Sequence, residues 1–302
     1  MVWSLQKTTA LTEPEFEQWN KLLEERTGIL LNAQQQAFLQ TQISIRMREL
    51  GFTEYAEYYE RVTNGIWGKA EWSVLVDRLM IKETSFFRHK HSYECVQKLI
   101  DERLFQQAPN LDISKIDSDK SADNKEKSHS ESFDVWSVGC STGEEPYSLA
   151  ILLNDSFERA NLKPLYGIFA TDISMPALSK ARAGIFYERR LDTLSREDRI
   201  RYFKKVDNSR FKVIDKIQER LCFSQGSVLD KNTMPIEKMD LIFCQNVLIY
   251  FTQWRRREIV QNLIDHLKPG GVLILGLGEM RDWTHQKLTR LPDDKVQAYI
   301  KN

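Results

Sequence analysis

A doubly wound α/β sheet preceded by a block of helices is the fold this sequence predicts, and three observations carry it. Asp134-Val-Trp-Ser-Val-Gly-Cys-Ser-Thr-Gly-Glu-Glu-Pro-Tyr-Ser148 reads as a strand, a glycine turn and a helix start in immediate succession. Val135, Trp136 and Val138 are strand formers, Gly139 and Gly143 let the backbone turn tightly, and Glu144, Glu145 and Pro146 suit a first helical turn. Three more apolar runs, Gly167-Ile-Phe-Ala-Thr-Asp172, Met239-Asp-Leu-Ile-Phe-Cys244 and Val272-Leu-Ile-Leu-Gly276, alternate with helical segments. Such alternation implies a parallel sheet with a ligand at the C-terminal ends of its strands. Residues 1–80 repeat apolar side chains at helical spacing instead.

Taken in order, Thr12-x-x-Glu15 forms a capping box with Pro14 in the first turn, and Phe16, Trp19, Leu22 and Leu23 follow on one face. A second helix carries Phe38, Leu39, Ile43, Met47 and Leu50 and stops at Gly51. Thr53 can cap a third with Tyr55, Tyr58, Tyr59 and Val62, and a fourth holds Trp72, Leu75 and Leu79. Residues 81–113 link this helical domain to the sheet. Between Ser114 and Ser132 the composition falls to Ser, Lys, Asp and Glu, which predicts a disordered insertion rather than a domain boundary. The sheet domain is expected over 133–280, with Leu267-Lys-Pro-Gly-Gly271 ending a helix. After Arg201-Tyr202-Phe203 closes a helix, Phe211-Lys-Val-Ile214 and Arg220-Leu-Cys-Phe223 read as strands of an inserted meander, a β-subdomain at about 204–224. Residues 281–302 read as a tail without a legible function.

Composition narrows the function classes. With 302 residues, 41% of them hydrophobic, the chain can bury a sizeable core in two domains. Lys and Arg number 43 against 43 Asp and Glu, so no global field draws the chain to nucleic acid or an anionic membrane. Cys95, Cys140, Cys222 and Cys244 lack metal-ligand spacing and read as reduced core residues. Met1-Val-Trp-Ser-Leu5 has no basic leader and no segment is long enough to span a membrane. A soluble cytoplasmic monomer without metal is the expectation.

The glycine loop also restricts the ligand. Its spacing is G-x-x-x-G, not the G-x-G-x-x-G of a pyrophosphate cradle, and two acids that would repel phosphate follow at once. Acids suit a cationic, hydroxyl-rich ligand. S-adenosylmethionine is both, through its amino group, sulfonium and ribose. Asp172 ends the second strand where a carboxylate can reach ribose hydroxyls, although it could also cap a helix before Met175-Pro176. Glu144 and Glu145 could equally be first-turn acids favouring the helix dipole.

Five segments together resemble the CheR family of chemotaxis-receptor glutamate methyltransferases, in that family's order: Lys82-Glu-Thr-Ser-Phe-Phe-Arg88, Trp136 to Ser148, Ala170-Thr-Asp-Ile-Ser174, Phe243-Cys-Gln-Asn-Val-Leu-Ile-Tyr-Phe251 and Leu267 to Gly271. The chain looks closest to the type IV pilus-associated, PilK-like members. The resemblance implies a class I S-adenosylmethionine-dependent methyltransferase, Rossmann-like, with an N-terminal all-helical domain and a small inserted β-subdomain. It implies methyl transfer to glutamate carboxylates of a methyl-accepting receptor's cytoplasmic helical domain, giving glutamyl methyl esters and S-adenosylhomocysteine in chemosensory adaptation. A glutamate with an ordinary pKa of roughly 4.3 is already a nucleophile at neutral pH, so no general base is required.

Residue roles follow from the same resemblance. Arg88 contacts the methyl donor and orients the substrate; Thr84, Gly139, Glu145 and Asp172 contact the donor, with Asp172 on the ribose; Ser227 and Val228 flank the adenine; Asn246 and Val247 meet the methionine end. Tyr250 lines the substrate opening or is simply packed. Arg46 and Arg48, with Arg26 nearby, form a positive face for acidic receptor helices, or else a solvated helix face. Three departures stand out. Lys82 replaces the family's usual asparagine, where a cation could pair with the donor's carboxylate or repel its sulfonium. Gly276-Leu-Gly-Glu-Met280 lacks flanking serines, and Lys204 to Arg210 lacks the glycine and proline of members that dock a receptor's C-terminal pentapeptide. Arg255-Arg256-Arg257 carries no assignment. The competing readings are a non-catalytic receptor adaptor and a methyltransferase with a different substrate on the same fold.

Overall fold

The structure, a computed structural model, describes residues 10–80, 83–107 and 132–302. Residues 1–9, 81–82 and 108–131, and with them Lys82 and all but the last residue of the expected insertion, lie outside the described residues. Four helices open the chain: α1 (Glu13–Thr27), α2 (Gln36–Leu50), α3 (Tyr55–Thr63) and α4 (Gly65–Leu79). The capping box forms as the spacing predicts, with Thr12 N and Oγ1 donating to Glu15 Oε2 at 2.8 and 2.7 Å. Gly28 and Gly51 end α1 and α2 with φ of 76° and 82°, a conformation in which a Cβ would be strained. The N-cap of α3 is Glu54 rather than Thr53. Trp19, Leu23, Ile43, Met47, Tyr58 and Leu75 bury the inward faces, and the Trp19 ring meets Tyr58 at 5.7 Å and Tyr59 at 4.9 Å.

The remainder runs α5 (Lys90–Gln107), β1 (Phe133–Val138), α6 (Glu144–Arg159), β2 (Tyr166–Asp172), α7 (Met175–Ala183), β3 (Ile185–Tyr187), α8 (Arg196–Tyr202), β4 (Phe203–Lys205), β5 (Arg210–Val213) and α9 (Asp215–Gln218). It ends with β6 (Leu221–Gln225), β7 (Met239–Cys244), α10 (Gln253–Asp265), β8 (Leu267–Leu275), β9 (Leu288–Arg290) and β10 (Gln297–Lys301). Seven strands form one sheet in the order β6-β2-β1-β7-β8-β10-β9. Pairing is parallel from β6 to β8, and β10 runs antiparallel to both neighbours. Strand order reverses direction at β1 and β7, and such a switch point opens a crevice at the strands' C-terminal ends.

Several expectations are corrected. Arg220 to Phe223 does not belong to the meander: Leu221 to Gln225 pairs with Ile168 to Asp172 as an edge strand of the main sheet. The small sheet is β3-β5-β4, so it begins well before residue 204. Leu267 to Gly271 does not end a helix. Helix α10 stops at Asp265, and Pro269 to Gly271 lie within β8, where the β7 pairing slips register between Met239 and Leu241. Residues 281–302 contribute β9 and β10, which close the sheet's edge. Cys140 and Cys244 are buried, but Cys222 on β6 is exposed.

One core crosses the expected domain boundary. Leu23, Ile43, Met47 and Leu75 of the helical block belong to the same apolar cluster as Trp136, Ile242, Leu263 and Leu273 of the sheet domain. The opposite sheet face packs Val135, Ile168, Leu241 and Ile274 against Leu149, Ile151 and Leu153 of α6 and Val96 and Ile100 of α5. The helices therefore rest on the sheet, and their loops reach its C-terminal edge.

Candidate active site

A cleft of about 310 Å³ opens at the switch point. Every described residue expected at the cofactor lines it: Thr84, Arg88, Gly139, Glu145, Asp172, Ser227, Val228, Asn246 and Val247, together with Tyr250. These residues come from five loops and share nothing in sequence but position after a strand or before a helix.

The glycine loop forms the floor. Gly139 has φ 71°, and a Cβ there would lie 2.5 Å from Val247 Cγ2, so only glycine lets the two loops close on each other. Gly139 N and Cys140 N donate to Thr171 O at 2.8 and 2.9 Å, tying the loop to β2. Asp172 accepts from Ser141 N at Oδ2 and from Ser174 N at Oδ1, both at 2.8 Å, which aims a fixed carboxylate at the cleft. The cap of α7 is Ser174, whose hydroxyl accepts from Ala177 N at 3.1 Å. Asp172 is therefore not the cap of that helix.

Glu145 accepts from Ser137 Oγ at 2.7 Å. Burial pushes its carboxyl up to about 8; the Ser137 hydrogen bond and nearby Arg88 oppose that shift, and Glu279 and Asp172 add to it. Glu144 points away into protein, 1% exposed, with Thr142 Oγ1 donating at 2.6 Å and its carboxyl raised by burial. Two adjacent acids thus have different surroundings: Glu145 faces the cleft and Glu144 does not line it.

The 83–89 loop is anchored by Phe86, fully buried, with ring centroids 5.0 Å from Phe186 and 5.5 Å from Phe203 of the small sheet. Phe87 adopts φ 50°, and its N–H donates to Ser148 Oγ at 3.0 Å. That sharp turn delivers Arg88 to the cleft, where Nη1 donates to Glu83 O and Nη2 lies 3.7 Å from Glu83 Oε2. The Thr84 carbonyl accepts from Arg190 Nη1 at 2.8 Å.

The loop after β7 forms the opposite wall. Asn246 has φ 59°, and its Oδ1 accepts from His89 Nε2 at 2.6 Å. Gln245 Nε2 donates to Ser92 Oγ at 2.8 Å. Tyr250 is half-buried, and burial raises its hydroxyl pKa. Leu30 N donates to Tyr250 O at 3.3 Å, and Thr27 and Ile29 line the cleft beside it. Glu279, from the departing Gly276 to Met280 segment, is a structural clamp: it accepts from Ile249 N at 3.2 Å and Gly276 N at 2.8 Å.

Two buried polar atoms facing this cleft, Ser141 Oγ and Gln245 Oε1, have no partner among the described residues. Unpartnered buried polar atoms are costly, and here they sit where a hydroxyl- and amine-bearing ligand would satisfy them. S-adenosylmethionine fits the donor set. Asp172 can accept from ribose hydroxyls, Val228 gives an apolar wall for a base, and Glu145, Asn246 and Gln245 offer acceptors to an ammonium beside Val247.

His89, Ser141, Gln245, Thr27 and Ile29 line the cleft in addition to the residues expected there. His89 and Gln245 directly adjoin Arg88 and Asn246, a signal that adjacency could have supplied; Thr27 and Ile29 carry no such signal. The basic face is also revised. Arg46 Nε and Nη2 donate to both Glu71 oxygens at 2.8 and 2.7 Å, and Nη1 donates to Glu49 at 2.9 Å. Burial pushes the Glu71 carboxyl up, but hydrogen bonds from Arg46 and Tyr58 outweigh it and leave it below its ordinary value. Arg46 therefore ties α2 to α4 instead of presenting an unpaired cation. Arg48 Nε donates to Ser44 O at 3.1 Å.

Residues 82–296 match the family model described as CheR methyltransferase, SAM binding domain, and residues 14–80 match that described as CheR methyltransferase, all-alpha domain. Similar curated proteins include chemotaxis protein methyltransferase 1 of Pseudomonas aeruginosa, 30% identical over 283 residues and 92% of each chain. The chemotaxis protein methyltransferase of Borreliella burgdorferi is 28% identical over 272 residues, 89% of each chain. That of Escherichia coli is 29% identical over 273 residues, 89% of this chain and 85% of its own.

Proposed function

The chain belongs to the CheR methyltransferase family, and on that footing we propose that it is a protein-glutamate O-methyltransferase, acting as a cytoplasmic monomer on the helical cytoplasmic domain of a methyl-accepting chemotaxis-type receptor. S-adenosylmethionine supplies an electrophilic sulfonium methyl when bound, and the products are a glutamyl methyl ester and S-adenosylhomocysteine. The observation that carries the reading is the convergence of Arg88 with Asp172, Glu145 and Asn246 on one cleft. An arginine fork can take an acceptor carboxylate through two parallel hydrogen bonds, and the carboxylate needs no base. Orientation of the reacting groups then supplies most of the catalysis, worth roughly 7–11 kcal/mol in favourable cases.

Asp172 holds the ribose, Ser227 and Val228 flank the adenine, and Glu145, Asn246 and Val247 hold the amino acid end, with Thr84 beside the donor. Tyr250 borders the acceptor's entry. The connection from β4 to β5 is a tight turn in which Asp207 Oδ1 accepts from Ser209 N and Arg210 N, both at 2.9 Å. So short a turn without glycine or proline supports recognition that does not depend on a receptor's terminal peptide. Arg48 remains a contact for acidic receptor helices. Incubation with methyl-labelled donor and receptor cytoplasmic fragments tests the reading: base-labile label on glutamate is expected, and donor binding without any such label would refute it.

A further inference from the structure

The arginines at the start of α10 oppose its dipole and have no part in the chemistry above. The structure divides them. Arg256 turns inward, with Nε donating to Phe251 O at 2.9 Å and Nη1 to Glu279 O at 3.0 Å. Because Glu279 also accepts from Ile249 N, this pair clamps the 276–280 turn beside the Leu248–Tyr250 turn at the cleft's lip. Outside the clamp stand three large apolar side chains: Ile249 is 50% exposed, Trp254 56% and Leu277 64%. Arg255 stacks on the Trp254 ring at 4.0 Å and pairs with Glu258 at 2.7 Å. Arg257 and Arg281 are exposed and make no ion pair among the described residues, and the Arg281 side chain lies over Gly278.

We propose that this lip is the docking platform for the acceptor segment that carries the target glutamate. The occupant is an acidic amphipathic helix whose apolar side chains cover Ile249, Trp254 and Leu277 while its carboxylates meet Arg257 and Arg281. The inference rests on the protein-carboxylate reading above. Two observations select this occupant. Ile249 and Tyr250 both line the cleft, so a protein segment that brings a carboxylate to Arg88 crosses the lip. The charges also match. Of the acids in the same segments Glu258 is paired with Arg255, Glu279 is buried in the clamp, and Asp282 is the one remaining exposed acid beside the two exposed cations Arg257 and Arg281, which leaves the platform's outer face positive. A central aromatic beside exposed cations is the composition that anchors such helices.

The test uses the full chain with a receptor cytoplasmic fragment and labelled donor, comparing Trp254→Ala, Leu277→Ser and Arg257→Glu with the parent protein. Each is expected to raise KM for the fragment by about tenfold while the donor's Kd, measured by calorimetry, stays within about twofold. Arg257→Glu should also slow association and weaken its salt dependence. Unchanged KM in all three variants, with the parent active, overturns the platform alone. A parent protein that binds donor yet methylates no fragment overturns the functional reading and this one with it. A loss of donor affinity matching the rise in KM would assign the residues to cleft structure and likewise overturn the platform.

Discussion

At the scale of single residues, the cleft is built from backbone strain and unpaired polarity. Phe87, Ser141 and Asn246 all have positive φ, and each is next to, or is itself, a residue that faces the cleft. Arg88→Ala should reduce methyl transfer by at least about 100-fold with little change in melting temperature, because misplacement of reacting groups is costly to rate and not to folding. Arg88→Lys should not restore the rate, since a point charge lacks the planar fork; near-normal turnover in both variants at saturating substrates removes Arg88 from the mechanism. Asp172→Ala should weaken donor binding by about 1–3 kcal/mol, read by calorimetry, through the loss of its charged acceptor.

The buried Glu145 carboxyl makes both stability and donor binding depend on pH. Its folded pKa of about 8 lies above its ordinary value of 4.5, so between these values the folded protein holds a proton that the unfolded chain has lost. Stability from this group is present below 4.5 and is lost as pH rises towards 8. Glu145→Gln should therefore gain stability relative to the parent as pH rises through that window, by thermal melts at several pH values. Donor binding has the opposite trend, because the cationic end prefers the carboxylate: affinity should tighten up to about pH 8 in the parent and lose that slope in the variant. A pH-independent difference in both measurements would show that Glu145 does not titrate in the cleft.

At the scale of elements, ion pairs and caps fix how helices meet. Arg46 joins α2 to Glu71 on α4, with Tyr58 of α3 donating to the same carboxylate at 2.7 Å. Truncation leaves a largely buried acid without its main partner, so Arg46→Ala should cost roughly 2 kcal/mol in chemical denaturation. Arg48→Ala should cost far less, since among the described residues its guanidinium donates to its own helix's carbonyl at Ser44 and forms no ion pair. Equal losses would return Arg46 to the solvated-face reading.

At the scale of the whole molecule, the shared core makes the helical block and the sheet one cooperative unit. Trp136, Ile242 and Leu273 are buried in part by side chains of the first four helices. Unfolding followed by far-ultraviolet and near-ultraviolet signals should therefore give one coincident transition. Saturating donor should shift it upward as a unit, by about 2.7 kcal/mol at 100 times the Kd. Two separable transitions would show that the interface between the blocks is not a core.

The class of fold, the four opening helices, the strand-turn-helix at Gly139 and ten cleft residues were legible in the chain of amino acids alone, because period, glycine placement and motif order are local properties. Contacts between distant segments set the rest. The Leu221 to Gln225 strand looks like a meander strand until its pairing with β2 is seen. Leu267 to Gly271 reads as a helix stop because proline and glycine end helices, yet a register slip in β8 accommodates the same residues. The last residues carry too little alternation to announce strands, and only antiparallel pairing with β8 makes them so. Arg46 reads as a surface cation because its partner lies 25 residues away, and Thr27 and Ile29 reach the cleft only because one core seats α1 on the sheet. In each case a contact between distant segments outweighs the local preference, and no window of sequence contains both partners.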